Sequence, residues 1–191
     1  MGIDSDSVGD AVRYLTLEYL EARLDMLAPA PRESGRVRLI VVRQEGGRRE
    51  SPPVVSLSPE AGVPGDAWGR RAELDREMQI AVMQGDVAEL IANGQPLELF
   101  GDNLFLELDL SVSNLPPGST VQVGGATLEV TPKPHNGCRK FRARFGDGAL
   151  RFVSRPHLRD RNLRGIYMRV TRGGEVSTGD TVEVLARASS A

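Results

Sequence analysis

The chain has one cysteine, Cys138, in 191 residues. No intramolecular disulfide can form, and a zinc site built on several cysteines is excluded. That thiol economy fits a reducing compartment, so the cytoplasm is the expected location. Aromatics are scarce, at 5% of residues, and aliphatic side chains must fill most of the core. No run approaches the ~18 apolar residues of a membrane span. Met1 to Asp10 carry three Asp and no Lys or Arg, which is not the basic start of a secretory leader. Lysine is almost missing, with only Lys133 and Lys140 among 24 basic residues. The formal charge of −2 leaves no chain-wide cationic surface for nucleic acid. The glycines form neither G-x-G-x-x-G ahead of a helix nor G-x-x-x-x-G-K-[ST], so no nucleotide loop is expected.

What is present is an uneven charge. From Cys138 to Arg172 there are eleven Lys or Arg against two Asp. From Glu73 to Asp109 there are nine Asp or Glu against Arg76 alone. Either the two runs lie together and neutralise each other, or some of the arginines face an anion, for which their rigid fork of donors is suited.

The hydrophobic pattern predicts an amphipathic helix over Val8 to Leu27, capped by Ser7 with Asp10 as the acidic partner. Leu17, Leu20, Leu24 and Leu27 give it one apolar face. A β pattern follows. Val37 to Val42 is a strand, Gly46-Gly47 a turn and Val54 to Leu57 the returning strand. Further strands are expected at Met78 to Met83, Leu104 to Leu108, Thr120 to Val123, Ala126 to Thr131, Ile166 to Thr171 and Thr181 to Leu185. Gly124-Gly125 is a hairpin turn. Short helices are expected after Asp86 and over Asn136 to Phe145, and the tail from Arg187 should be loose. Many short strands with glycine turns and few helices predict a predominantly β, barrel-like α+β domain. The organisation expected is an N-terminal helix and linker (1–31), a β-barrel domain (32–187) and a loose tail (188–191).

Cys138 carries the chemistry. It sits at a loop-to-helix start beside Arg139, Lys140, Arg142 and Arg144, and cations favour the thiolate, the form that attacks or binds metal. The bland alternative is a small buried hydrophobe. His135 lies three residues upstream, so a Cys–His pair is conceivable, although a histidine in a Pro-rich loop reads first as solvated. Asn136 stands too close to His135 for a papain-like arrangement. Trp68 reads as a packing residue. Arg159, Arg161 and Arg164 read as a solvated loop or as a phosphate clamp.

Several local motifs fall into one order. Gly65-Asp66 is followed by Phe100-Gly101-Asp102-Asn103-Leu104, Leu115-Pro116-Pro117-Gly118 and Val121-Gln122-Val123-Gly124. Leu128-Glu129-Val130-Thr131 leads to Asn136-Gly137-Cys138-Arg139-Lys140-Phe141. Arg164-Gly165-Ile166-Tyr167 and Gly174-Glu175-Val176-Ser177-Thr178-Gly179-Asp180 complete the series. Over Val37 to Leu185 this resembles the MOSC family, named after the C-terminal domain of molybdenum cofactor sulfurase. The resemblance implies a β-barrel fold with an added N-terminal helix. It makes Cys138 the match for the family's single characteristic cysteine, which ligates molybdenum held by an anionic pterin in members that reduce N-hydroxylated compounds. It implies Arg139, Lys140 and Arg144 as cofactor neighbours, with Asp102 and Asn103 supporting them. A histidine is common after the first Gly-Asp; here Ala67-Trp68 follows. Asp102 stands where Glu is usual.

The chain shows neither a pyridoxal-phosphate desulfurase domain nor an iron–sulfur domain, so an electron-donor or sulfur-donor protein is an expected partner. A small-molecule substrate is expected, nucleic acid and membrane are not, and a homodimer is compatible with the pattern. Three readings follow: a molybdenum oxidoreductase, a sulfur carrier using a Cys138 persulfide, and a cofactor-free interaction domain using its N-terminal helix.

Overall fold

Strands with alternating burial must pair until their apolar face is enclosed, and here they do so by closing on themselves. The computed structural model describes residues 7–189. The stretch before Ser7, on which the leader reading rests, and the last two tail residues lie outside it. The strands are β1 (Ser34–Ile40), β2 (Val42–Arg43), β3 (Arg49–Glu50), β4 (Val54–Leu57), β5 (Ile80–Gln84), β6 (Leu104–Leu106), β7 (Thr120–Val123), β8 (Ala126–Val130), β9 (Ile166–Arg172), β10 (Gly174–Ser177) and β11 (Thr181–Ala186). β1, β11, β7, β8, β9, β5 and β6 follow one another around a closed barrel, and β6 returns to β1. All barrel pairs are antiparallel except β5 with β6. That parallel pair needs a crossover, supplied by α2 (Gly85–Ala92).

The barrel interior is aliphatic. Val37, Ile40, Val82, Leu104, Val121, Leu128, Met168, Val170 and Val182 form one buried cluster. All five phenylalanines lie outside it, in a second layer between the barrel wall and α1 (Leu17–Leu24), α2 and α3 (Arg139–Val153). Phe100 is its hub, with Phe145 at 4.2 Å and Phe105 and Phe141 at 5.9 Å between ring centroids. Leu17, Leu20 and Leu24 pack there as their spacing predicts. Among the described residues no helix is long and apolar enough to cross a membrane.

Four local expectations change. The N-terminal helix is shorter, because Thr16 is extended (φ −74°, ψ 159°) and its hydroxyl caps α1 at Tyr19. Ahead of it stands a single 3-10 turn, Ala11–Arg13, capped by Asp10. Val54–Leu57 does not return onto β1; it pairs with β10, which the hydrophobic pattern does not mark as a strand. The helix after Cys138 starts at Arg139 and is broken at Gly146, so its first piece ends at Phe145 as expected and a second piece carries on to Val153. The chain at Arg187 is tied down, since its guanidinium reaches Glu33, Asn114 and the Arg32 carbonyl.

Candidate functional site

A polar cluster grows at one end of the barrel from several strand ends. Asp102 and Asn103 lead into β6, Arg164 and Gly165 lead into β9, and His135 lies in the loop after β8. Arg43 ends β2, and Asp66 caps the 3-10 turn that begins at Ala67.

Asn103 knits this end together. Its amide donates to the Ala81 carbonyl (2.7 Å), and its carbonyl accepts from the Val41 amide (2.8 Å). Its side-chain oxygen accepts from the Ala81 amide (3.1 Å) and from Arg43 (3.3 Å). Its side-chain nitrogen donates to Asp66 (3.0 Å) and to the Val41 carbonyl (3.3 Å). An asparagine amide has two donors and two acceptor positions, and all four are taken. Asp66 accepts from the Arg43 amide at 2.8 Å, from Arg43 Nε at 2.9 Å and from the Trp68 amide at 2.9 Å. Burial pushes the Asp66 carboxyl up, but the Arg43 guanidinium and the backbone amides outweigh it and hold the group below the usual carboxylate range. Trp68 is buried, as a packing residue should be, and its indole donates to the Asp75 carbonyl.

Asp102 is fully buried and pairs with Arg164, whose Nη1 lies 2.8 and 3.0 Å from the two carboxylate oxygens. Burial pushes the Asp102 carboxyl up; Arg164, with Arg43 and Arg49 farther away, opposes that. The other face of the arrangement is aromatic. The Arg164 guanidinium carbon lies 5.1 Å from the centre of the Phe141 ring, a cation–π contact.

His135 is not solvated. Its side chain is 7% exposed, and its ring stacks on Tyr167 with centroids 4.2 Å apart. Its Nδ1 lies 3.4 Å from Asp102 Oδ1 without hydrogen-bond geometry. Arg164 Nε is likewise buried without a partner. Burial, reinforced by Arg164 and Arg43, drives the His135 pKa well below its ordinary value and so favours the neutral imidazole. Burial and the nearby Asp102 charge raise the Tyr167 phenol.

Cys138 is exposed and stands at the N-cap of α3 (φ −133°, ψ 176°), its side chain making no capping hydrogen bond. Three residues before it, His135 is anchored beside Asp102. Three residues after it, Phe141 is anchored against Arg164. The thiol is thus carried on a short span whose two ends, His135 and Phe141, pack beside the Asp102–Arg164 pair. Arg139 and Lys140 are exposed next to it, whereas Arg144 is buried and its carbonyl accepts from Gln95. Arg159 and Arg161 are exposed. The acidic and basic runs meet at Asp102–Arg164; Arg142, Arg155 and Arg169 pair instead with Asp147, Glu21 and Glu129.

Among the described residues no three His, Cys, Asp or Glu side chains converge to hold a metal ion. Nor is Cys138 in the walls of four surface cavities found elsewhere. The most voluminous of them, about 460 Å³, lies beneath the end of α1 and is lined by Leu24, Asp86, Asp109 and Leu163 among others.

The family model of the MOSC domain matches residues 71–183 of this chain. The chain belongs to the MOSC domain family. Asp102, Asn103, His135, Cys138 and Arg164 all lie inside the matched part, whereas Arg43, Asp66 and the segment ahead of the barrel lie outside it. Solved structures carry the same fold. The YuaD protein from Bacillus subtilis superposes with a TM-score of 0.63 at 17% identity, over 84% of this chain and 100% of that one. YiiM from Escherichia coli gives 0.55 at 21% identity, over 81% of this chain and 72% of that one. A search among curated proteins finds no match. MOSC membership accounts for the barrel and for the order of the motifs.

The site therefore contains residues that the sequence reading did not assign to it. Arg43 and Asp66 face each other across 23 positions, and nothing in the sequence pairs them. His135 could have been found from its spacing to Cys138, but its neighbours Pro134 and Asn136 point to solvent.

Proposed function

We propose that this MOSC protein binds molybdenum cofactor through the Cys138 thiolate and reduces N-hydroxylated compounds. The observation that carries the reading is the exposed, uncommitted Cys138 on a span whose ends pack beside the buried Asp102–Arg164 pair. The residues present fit such a group. A thiolate is a suitable ligand for a soft or high-valent metal. Since no three protein ligands converge among the described residues, an ion held by Cys138 would bring its remaining ligands, as a pterin dithiolene does. Arg139 and Lys140, exposed beside the thiol, can meet the anionic pterin phosphate. Asp102 and Asn103 would act from below by fixing the site's floor. When bound, the molybdenum supplies two-electron redox chemistry. In the reaction the N–O bond breaks, two electrons and two protons enter, and water leaves; the electrons come from a separate donor protein.

The test is elemental molybdenum in protein from a molybdate-fed host able to make the cofactor. Near one metal per chain is expected in the parent and none in Cys138→Ala. Because Cys138 is exposed, that variant should keep its stability within about 0.5 kcal/mol, measured by urea unfolding. A parent free of metal and pterin overturns the reading. The openness of Cys138 favours a second reading, a persulfide carrier that meets a sulfur-donor protein directly. Cyanolysable sulfur on freshly isolated protein, lost in Cys138→Ala, would identify it.

A further inference from the structure

Gly146 divides α3. Its backbone (φ 86°, ψ 173°) is not helical, so the helix consists of two pieces, 139–145 and 147–153. In an unbroken helix the carbonyls of Ala143 and Arg144 would accept from the amides four residues on. The break takes those donors away, and backbone carbonyls near a helix end need partners from elsewhere. The segment ahead of α1 supplies most of them. The Ala143 carbonyl accepts from the Gly9 amide (3.1 Å) and from the Tyr14 hydroxyl (2.6 Å). Gln95 Nε2 donates to the Arg144 carbonyl (3.4 Å), while the Gln95 side-chain oxygen accepts from the Asp10 amide (2.7 Å).

The fit is close. A Cβ on Gly9 would stand 1.7 Å from the Arg144 carbonyl oxygen, so a side chain there would lift the segment away. A Cβ on Gly146 would stand 2.9 Å from the Tyr14 ring, whose face covers the break. Burial and the Asp10 charge raise the Tyr14 phenol, which keeps it a donor. The piece closed in this way is the one that begins at Cys138. Its apolar side is already fixed by Phe141 and Phe145 against Phe100, and its last turn rests on Tyr14 through the Ala143 carbonyl.

We propose that the N-terminal segment 9–16 is a positioning element for Cys138, in which Tyr14 caps the broken end of the 139–145 piece and so steadies the thiol at its start. The proposal rests on the reading of Cys138 as the working residue. It gives the N-terminal segment a role within the chain instead of a docking role for another protein. Tyr14 acts through the helix piece, not on a ligand.

The sole cysteine makes the test direct. A nitroxide attached at Cys138 reports its mobility by electron paramagnetic resonance in the full chain, for the parent, Tyr14→Phe and Tyr14→Ala. The label should tumble at least twofold faster in Tyr14→Ala, with Tyr14→Phe in between. Amide exchange over 139–145 should rise at least tenfold in Tyr14→Ala while β9 keeps its protection, which a general loss of stability would not produce. Unchanged label mobility and unchanged exchange over 139–145 in a folded Tyr14→Ala overturn the proposal. Should Tyr14→Ala not fold, Tyr14→Phe decides, since it removes one hydroxyl; exchange identical to the parent then overturns it. Unlabelled samples separate this proposal from the cofactor reading. A metal-free parent removes the cofactor reading and leaves the mobility result standing. A metal-bearing parent whose Tyr14→Ala variant retains as much metal overturns the positioning role instead.

Discussion

Asp102→Ala should destabilise the protein by about 3–5 kcal/mol, the range for breaking one side of a buried ion pair. Asp102 is fully buried and is the counter-charge that Arg164 meets with both carboxylate oxygens in reach. Arg43 and Arg49 also feel its charge. Removing the carboxylate leaves a guanidinium that is 9% exposed with no other acceptor among the described residues and one nitrogen already unpaired. For a chain of this size the loss corresponds to a melting temperature lower by roughly 6–20 °C. Urea unfolding at pH 7 measures it, and a cost below about 1 kcal/mol would show that water or another group takes over the pairing. The double variant Asp102→Ala with Arg164→Met removes both charges together. It should recover a large part of the loss, because a buried pair replaced by apolar groups is often close to neutral. Asp102→Glu should cost less than Asp102→Ala, since the charge remains and only its reach changes.

The same pair explains what could be read from the sequence and what could not. The barrel was legible because its signal is local: alternation in Ile166 to Thr171 buries Ile166, Met168 and Val170, and the Gly124-Gly125 turn joins β7 to β8 as expected. The motif order was legible too, and it placed Asp102, Asn103 and Cys138 in one family before any contact was known. What failed was information carried by distance. Val54 to Leu57 has the composition of a strand, but its partner lies more than a hundred positions away, in Gly174–Ser177. Composition does not carry that pairing. The helix predicted over Val8 to Leu27 forms only over Leu17–Leu24, and its first half is lost for a related reason. The Gly9 amide and the Tyr14 hydroxyl donate to the Ala143 carbonyl of α3, the Asp10 amide goes to Gln95, and these contacts outcompete helical propensity. His135 was misread because solvation was inferred from its loop, whereas the stacking Tyr167 and the neighbouring Asp102 reach it through the fold.

Burial also gives His135 a consequence for stability against pH. Its folded-state pKa lies well below the ordinary 6.5, for reasons of burial first and of the Arg164 and Arg43 charges second. The unfolded chain therefore takes up this proton at a higher pH than the folded one. The contribution is fully present above about 6.5 and is lost as pH falls, at a rate approaching about 1.4 kcal/mol per pH unit, until the folded-state value is reached. Asp66 acts in the same direction, but only at the lower pH where ordinary carboxylates titrate, because its own value is held down by Arg43. Asp102 acts the other way. Raised by burial, it takes its proton earlier in the folded state than in the unfolded one and offsets part of the loss at the acid end. His135→Gln isolates the first contribution. Between pH 7 and 5 the parent should lose more than about 1 kcal/mol relative to this variant in urea unfolding. Parallel curves for the two proteins would mean that the imidazole is protonated inside the fold, with Asp102 receiving it as an ion pair. That outcome would turn the 3.4 Å contact between them from a spectator of the Arg164 pair into a member of it.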